Sequence, residues 1–421
     1  MAERSFLNHL LARMAQAGQR RRAKGKPTES DVIALADRLL HEDSEAESLI
    51  TAIEMLNAYE ALPTQDRPPV FSEMLTRYDA DTTQLESAIA AFQNGEADAA
   101  RALHFAAEPR SQELIRRLNR VPGATARLVN MRADLLIAAK QDKALKALDR
   151  DFQHLFSSWF SRGFLEIRRI DWNTPARILE KIIAYEAVHE ITGWDDLRQR
   201  VADPDRRLFA FFHPAMPSEP LIFVEVALTK TIPEAIGPII AAKRDMVDPA
   251  LAKVAVFYSI SNCQKGLRGI SFGNFLIKQV VSELQNELPG LKTFVTLSPV
   301  PGLRRWAKSA ASDLPDHFSA ALSQEAPDPQ DTRRLAAYYL TKARRPENTA
   351  FDPVAHFHLG NGAELHRIHA DADTSPNGRA NSWGVMVNYL YDGDKIEANH
   401  QAYTADGKIV AAASVRALAK P

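Results

Sequence analysis

Cysteine is nearly missing: the 421-residue chain holds one, Cys263. A single thiol closes no intrachain disulfide, and such sparse usage points to a reducing compartment, the cytoplasm. Long apolar runs are missing as well. Candidates such as Leu221–Leu228 are of strand length and interrupted by Glu225, far short of the roughly 18 residues that a membrane span needs. Nor is there an excess of charge: 52 basic and 53 acidic side chains leave a formal net charge of −1. That balance gives no global attraction to nucleic acid or an anionic surface. The first 26 residues are amphipathic and Arg-rich, but they lack a Ser-rich tract and carry Glu3. They read as a solvated helix with a basic linker rather than as a mitochondrial import signal.

What is present fits two or three globular domains, with 45% hydrophobic and 25% charged residues. Residues 1–162 read as an all-helical bundle for packing or oligomerisation. Val32, Leu35, Ala36 and Leu39 recur at helical spacing after Glu29-Ser30-Asp31. Leu85, Ile89 and Phe92 do the same before the stop signal Asn94-Gly95. The stretch Thr125–Trp159 continues the pattern without strand-like alternation. Residues 163–421 change texture to mixed α/β. Thr174-Pro175 opens a helix with Thr as its N-cap, and strand-length apolar runs follow at Leu208–Phe212, Leu221–Leu228, Val254–Ile260 and Leu291–Leu297. Shorter strands are predicted at Gly384–Tyr391, Lys395–Tyr403 and Ile409–Val415, with Asp392-Gly393 and Asp406-Gly407 as turns.

The most informative segment joins the Val254–Ile260 strand to a helix bearing Leu276, Ile277, Val280, Val281 and Leu284. Between them lie Lys265, Gly266, Arg268, Gly269 and Gly273. A strand, a Gly-bearing turn and a helix start aim backbone N–H groups and the helix dipole at one point, where an anion fits. No Gly-Lys-Ser/Thr follows, and the glycine spacing is not that of GxGxxG, so neither a P-loop nor a dinucleotide fingerprint is present.

Arg268-Gly-Ile-Ser-Phe-Gly-Asn-Phe-Leu276 resembles the pyrophosphate loop of the GNAT acyl-CoA-binding fold, with Ser271 where that loop usually has its middle glycine. Several blocks together resemble the malonyl-CoA decarboxylase family: HPAMPSEPLIFVEVALT from His213, FYSISNCQKGLRGISFGNFLIKQVVSEL from Phe257, TLSPVPG from Thr296, DPVAHFHLGNGAELHRI from Asp352 and SWGVMVNYLY from Ser382. The resemblance covers most of the chain from about Asp151 onward. It implies a helical N-terminal domain followed by a GNAT-like α/β catalytic domain. It also implies decarboxylation of malonyl-CoA, a reaction in which the thioester is the electron sink, so that no metal or redox cofactor is expected; separately, a large helical module without chemistry of its own invites assembly into a homodimer or homotetramer.

Such a reaction leaves charge on a thioester oxygen and then protonates the α-carbon. The resemblance matches Ser298 and His358 to the catalytic pair. It assigns Arg268, Gly269, Ile270, Ser271, Phe272, Gly273 and Asn274 to CoA, favours Ser259 over its neighbour Ser261 beside the thioester, and leaves Tyr389 as a supporting phenol. The residues alone leave other readings open. Ser298 is also an ordinary turn serine before proline, and Tyr389 an ordinary packed tyrosine. His356, His358, His366 and His369 have spacings that ligate zinc in other proteins, although no cysteine joins them. An acyltransferase using an amine acceptor, or a CoA-sensing scaffold without catalysis, would need the same loop.

Overall fold

The computed structural model describes residues 26–420, except 271, 273–275, 311–313, 316–317, 319–321, 323 and 325–326. The chain divides into two compact units. The first comprises Met1–Leu165, His213–Glu219 and Gln264–Ser271; the second comprises Glu166–Phe212, Pro220–Cys263 and Phe272–Pro421.

Among its described residues, the first unit is helical: α1 (Glu29–His41), α2 (Glu45–Ala61), α3 (Pro68–Arg77), α4 (Thr82–Gln93), α5 (Ala99–Ala106), α6 (Arg110–Leu118), α7 (Ala124–Ala138) and α8 (Lys146–Trp159). Thr28 starts α1 with a reciprocal cap: its hydroxyl accepts from Asp31 N while the Asp31 carboxylate accepts from Thr28 N. The predicted stripe Val32, Leu35, Ala36 and Leu39 is buried. The stretch Thr125–Trp159 is two helices, broken where Asp142 caps a short 3-10 turn. The Leu85–Phe92 stripe does form a helix, but Ile89 and Phe92 remain 39% and 52% exposed.

The second unit holds an 8-stranded sheet. Strands β1 (Glu166–Ile170), β2 (Arg206–Phe212), β3 (Ile222–Thr229) and β4 (Val254–Asn262) are successively antiparallel. Strand β4 then pairs in parallel with β5 (Thr293–Thr296), joined by helix α11 (Leu276–Glu287). A parallel pair requires such a crossover. Beyond β5 lie the two-residue β6 (Ser298–Pro299), β7 (Glu364–His369) and β8 (Met386–Leu390). The runs β2 and β3 are buried along nearly their whole length, which is why they read as continuous apolar segments rather than as alternating ones. One face packs Leu208, Ala210, Phe212 and Phe223 under α9 (Ala176–Tyr185) and α10 (Trp194–Val201). Helix α9 starts one residue later than the Thr174 cap predicts, with Pro175 at the N-cap.

One predicted strand is a helix, and another is only half extended, Ala411 forming a parallel bridge to Leu365 before the chain turns into a helix. Lys395–Tyr403 falls in Ile396–Asp406, and Ile409–Val415 largely precedes or enters Ala413–Leu418. Ile396, Asn399 and Tyr403 are the buried positions of the first, spaced three and four apart as in a helix. Gly407, at φ 65°, ends that helix in a left-handed cap and is not a hairpin turn. The histidines His356 and His358 lie on a helix, α12 (Pro353–Gly360).

Candidate active site

The site begins where two parallel strands part. Strand β4 pairs with β5 from Val254↔Thr293 to Phe257↔Thr296. One further bond follows, 3.0 Å from Leu297 N to Phe257 O. Beyond it the chain after β5 pairs with β8 instead, Ser298 opposite Val387, while β4 continues against β3 as far as Asn262↔Ile222. The result is a fork. Parallel partners share a face and residues two apart share a face, so Phe257, Thr296 and Ser298 belong to one side of the sheet, whereas a bulge in β4 between Phe257 and Ser259 turns Ser259, opposite Glu225, to the other side. Crevices at the carboxyl ends of parallel strands are where ligands enter α/β sheets.

Ser298 is buried and bonded on both sides. Its Oγ donates to Thr296 Oγ1 at 2.9 Å and lies 3.1 Å from His358 Nε2. Since the hydroxyl proton is committed to Thr296, Oγ accepts from the ring, so Nε2 carries the imidazole proton. Nδ1 then accepts from the Tyr391 hydroxyl at 2.8 Å. Thr296 Oγ1 also accepts the Tyr389 amide at 3.1 Å, and Asn388 Nδ2 ties the Thr296 carbonyl at 2.8 Å. The histidine is delivered by α12. Asp352 caps that helix through Val354 N and Ala355 N, each at 2.9 Å, with Pro353 in the first turn. Tyr389 stacks under the imidazole, ring centroids 4.6 Å apart and planes at 24°.

Burial governs the electrostatics. It drives His358 down to about 3, so the ring is neutral at neutral pH. It raises the Tyr389 and Tyr391 phenols well above their usual range. Tyr389 Oη is buried without a hydrogen-bond partner among the described residues, an exception to the rule that buried polar atoms are paired.

The structure therefore brings Ser298, His358 and Tyr389 together. Thr296 and Tyr391 complete the cluster and were not foreseen. The alternation in Asn388-Tyr-Leu-Tyr391, which sets both phenols on one strand face, was the available signal. Ser259 and Ser261 do not stand free toward a thioester. Ser259 Oγ donates to both oxygens of Glu186 at 2.8 Å, and Ser261 Oγ donates to Oε2 at 3.2 Å. The histidine spacings that suggested zinc lead to separate partners: His356 bonds Tyr403 at 2.8 Å and His369 bonds Asn388 at 2.6 Å. No group of three or more metal-ligating side chains occurs among the described residues.

Of the anion loop, Arg268 and Gly269 are exposed, Ile270 is buried and Phe272 is half-buried. Ser271, Gly273 and Asn274 lie outside the described residues. Gly269 has φ +82°, a conformation that glycine adopts without strain. Gly266, the first glycine of the sequence pattern, serves packing instead. A Cβ there would fall 1.8 Å from the Val129 carbonyl oxygen, and the Gly266 carbonyl accepts from Arg132 at 2.6 Å.

Comparison with known proteins agrees with the sequence blocks. Residues 163–421 match the family model described as the malonyl-CoA decarboxylase C-terminal domain, and residues 78–160 match the one for the N-terminal domain. A mitochondrial malonyl-CoA decarboxylase of Anser anser anser is 37% identical over 348 residues, 73% of this chain and 69% of that protein. Its counterpart in Mus musculus is 34% identical over 359 residues, 75% of this chain and 72% of that protein. The crystal structure of malonyl-CoA decarboxylase from Rhodopseudomonas palustris matches with a TM-score of 0.89 at 48% identity, covering 93% of this chain and 99% of that one. The Agrobacterium vitis structure matches at 0.85 and 46%, covering 93% and 100%. With both of its domain models matched in order and relatives of this extent, the chain belongs to the malonyl-CoA decarboxylase family.

Proposed function

We propose that this protein decarboxylates malonyl-CoA to acetyl-CoA and carbon dioxide, with Ser298 and His358 as the reacting pair. The observation that carries the assignment of the site is the buried hydrogen bond between them at the mouth of the β4/β5 fork. The bond between the α-carbon and the malonyl carboxylate breaks, carbon dioxide leaves, and the electron pair passes into the thioester as an enolate. The thioester is its own electron sink, so the reaction calls for no metal or redox group. A malonyl carboxylate seated beside the pair stabilises the imidazolium, because an adjacent anion opposes the effect of burial. Substrate binding is thus coupled to the uptake of one proton from solvent onto His358, the proton that the free site does not hold. After carbon dioxide departs, Ser298 Oγ passes its proton to the α-carbon and takes the one on His358 Nε2. Tyr391 holds the ring in register from the Nδ1 side, and Tyr389 has a buried hydroxyl available to the acyl group. Residues 268–274 are proposed to receive the CoA phosphates, with the exposed Arg268 guanidinium as a mobile cation.

The test is incubation of chelator-treated protein with malonyl-CoA and no amine acceptor, following acetyl-CoA and carbon dioxide by mass spectrometry. Equal amounts of both are expected. CoA binding without product would overturn the reading in favour of acyl transfer or CoA sensing. We further propose a cytoplasmic protein that self-associates through its helical unit, a reading supported by the single cysteine and by the outward-facing Ile89, Phe92 and Phe105. Light scattering tests the association.

A further inference from the structure

The hydrogen-bond chain at the fork ends in a proton that the site itself does not receive. A hydroxyl has one hydrogen to give and two lone pairs to offer. Thr296 Oγ1 accepts from Ser298 Oγ at 2.9 Å and from the Tyr389 amide at 3.1 Å. Both lone pairs are taken, and the Thr296 hydrogen has no acceptor among the described residues. The residue is 0% exposed, where a hydroxyl normally finds a partner for its proton. The neighbouring protons of the free site are committed: Nε2–H of His358 to Ser298, and the Tyr391 hydroxyl to Nδ1.

Thr296 is the last residue of β5 and pairs with Phe257 in the final rung of the parallel ladder, so it forms the floor of the fork. Its side chain shares a face with Ser298, two residues on, and with Phe257, whose ring meets Tyr391 at a centroid distance of 6.1 Å. The Phe257 ring brings no hydrogen-bond donor to that floor. Two hydroxyls therefore stand 2.9 Å apart on one face, one at the floor and one on the prong. An enolate has the matching outline. Its oxygen and its α-carbon are both bonded to the single thioester carbon, so adjacent donors can meet the two together. With Ser298 Oγ over the α-carbon, Thr296 Oγ1 falls beside the oxygen.

We propose that Thr296 is a catalytic residue whose hydroxyl donates a hydrogen bond to the thioester oxygen and stabilises the enolate charge there. This inference rests on the proposed decarboxylation and adds the group that meets the enolate oxygen. The Thr296 proton stays on Thr296, and only Ser298 gives one up. The bond tightens as charge builds on the oxygen and slackens once the α-carbon is protonated, so it favours the transition state over the bound thioester. Ser298, itself receiving from Nε2, polarises the Thr296 O–H by donating to its oxygen, as chained hydrogen bonds do. Burial leaves little solvent to screen the contact. Asn388 Nδ2 holds the Thr296 carbonyl at 2.8 Å, and the Tyr389 amide holds its oxygen, so the donor is fixed before substrate arrives.

The test reads the thioester carbonyl directly. Isotope-edited infrared spectra of bound acetyl-CoA, labelled at the thioester carbon, report the carbonyl stretch, which falls when a donor binds the oxygen. Wild-type protein is compared with Thr296→Val, Thr296→Ser and Tyr389→Phe, and kcat and KM for malonyl-CoA are measured alongside. The stretch should lie lower in wild type and Thr296→Ser than in Thr296→Val, and Tyr389→Phe should leave it at the wild-type position. Thr296→Val should lower kcat about 10²–10³-fold, as for loss of one oxyanion donor, with KM within about threefold, and Thr296→Ser should recover all but about tenfold. An unchanged stretch in Thr296→Val would overturn the inference however far kcat falls, because Thr296 would then only steady Ser298. A stretch that moves with Tyr389→Phe instead would overturn it too. Thr296→Ala replaces the valine variant should that one fail to fold, and a wild-type stretch as high as that of the thioester in an apolar solvent overturns the inference without any variant. The spectra need no turnover, so a wild-type protein that forms no acetyl-CoA from malonyl-CoA refutes the decarboxylase reading separately.

Discussion

In the helical unit, the wholly buried Arg132 reaches Asp149 at 2.8 Å and the Gly266 carbonyl at 2.6 Å, while Asp151 accepts from Ser111 at 2.6 Å and Gln112 at 3.0 Å. In the sheet unit, the buried groups around Ser298 are a hydroxyl chain, a neutral imidazole and two phenols. The first arrangement holds full charges and fixes them, Asp149 by an ion pair and Asp151 by two neutral donors. The second avoids charge, aligns protons head to tail and leaves Tyr389 Oη without a partner. A network that only supports the fold gains from anchoring its ions, because a buried ion without a counterpart is costly. A network that must accept a charged substrate gains from being neutral before it arrives, so that the substrate supplies the missing charge.

Substitutions can break this contrast from either side. Ser298→Ala and His358→Asn should each reduce kcat by about 10²–10⁴-fold, the usual range for a general acid–base group. Melting temperature and CoA binding should stay close to wild type. Loss of folding in both variants would return the pair to a structural role. Arg132→Met should leave a folded variant's kcat unchanged but cost about 3–5 kcal/mol of stability, because Asp149 would stay buried beside a lost partner. Urea titration measures that loss, and adding Asp149→Leu should recover much of it.

A subtler separation comes from pH. His358 has its folded-state pKa pushed down to about 3 by burial, against about 6.5 in the unfolded chain. The unfolded state therefore binds the extra proton first as pH falls. Stability from this residue is fully present above about pH 6.5 and drains away toward pH 3, by about 2 kcal/mol at pH 5. His358→Asn should flatten that part of the curve, whereas Arg132→Met should lower the whole curve without changing its slope there. The smallest effect expected is that of Tyr391→Phe. Losing the bond to Nδ1 frees the ring tautomer and should lower kcat about tenfold, with KM nearly unchanged. An unaltered kcat would remove Tyr391 from the ring's support.

Much of this architecture was legible because burial was strong. The strands β2, β3 and β4 are covered along nearly their whole length, so their apolar runs could hardly be mistaken. Near the C-terminus, Ile396–Asp406 mixes Asn, His and Gln among few apolar residues, so its sequence carries little helical period to set against a strand's. Ser298 and His358 were found through motif resemblance. Spacing alone would not have joined residues 60 apart. Glu186 escaped for the same reason: it meets Ser259 across 73 residues, and nothing local to either marks the encounter. Gly266 is a different case: it lies in the same glycine-bearing segment as the anion loop, yet its close approach to Val129 is what requires a glycine there.

That glycine has a practical consequence for dissecting the molecule. The segment Gln264–Ser271 is counted with the helices although it lies far downstream in the chain, and so is His213–Glu219. A fragment cut to begin at Glu166 would contain both segments without the surfaces that cover them. Leu267, 4% exposed, and the Gly266 edge would lie open to solvent and to protease. Two downstream segments belong to the helical unit, so recombinant boundaries drawn at the end of α8 would separate residues that fold with one another.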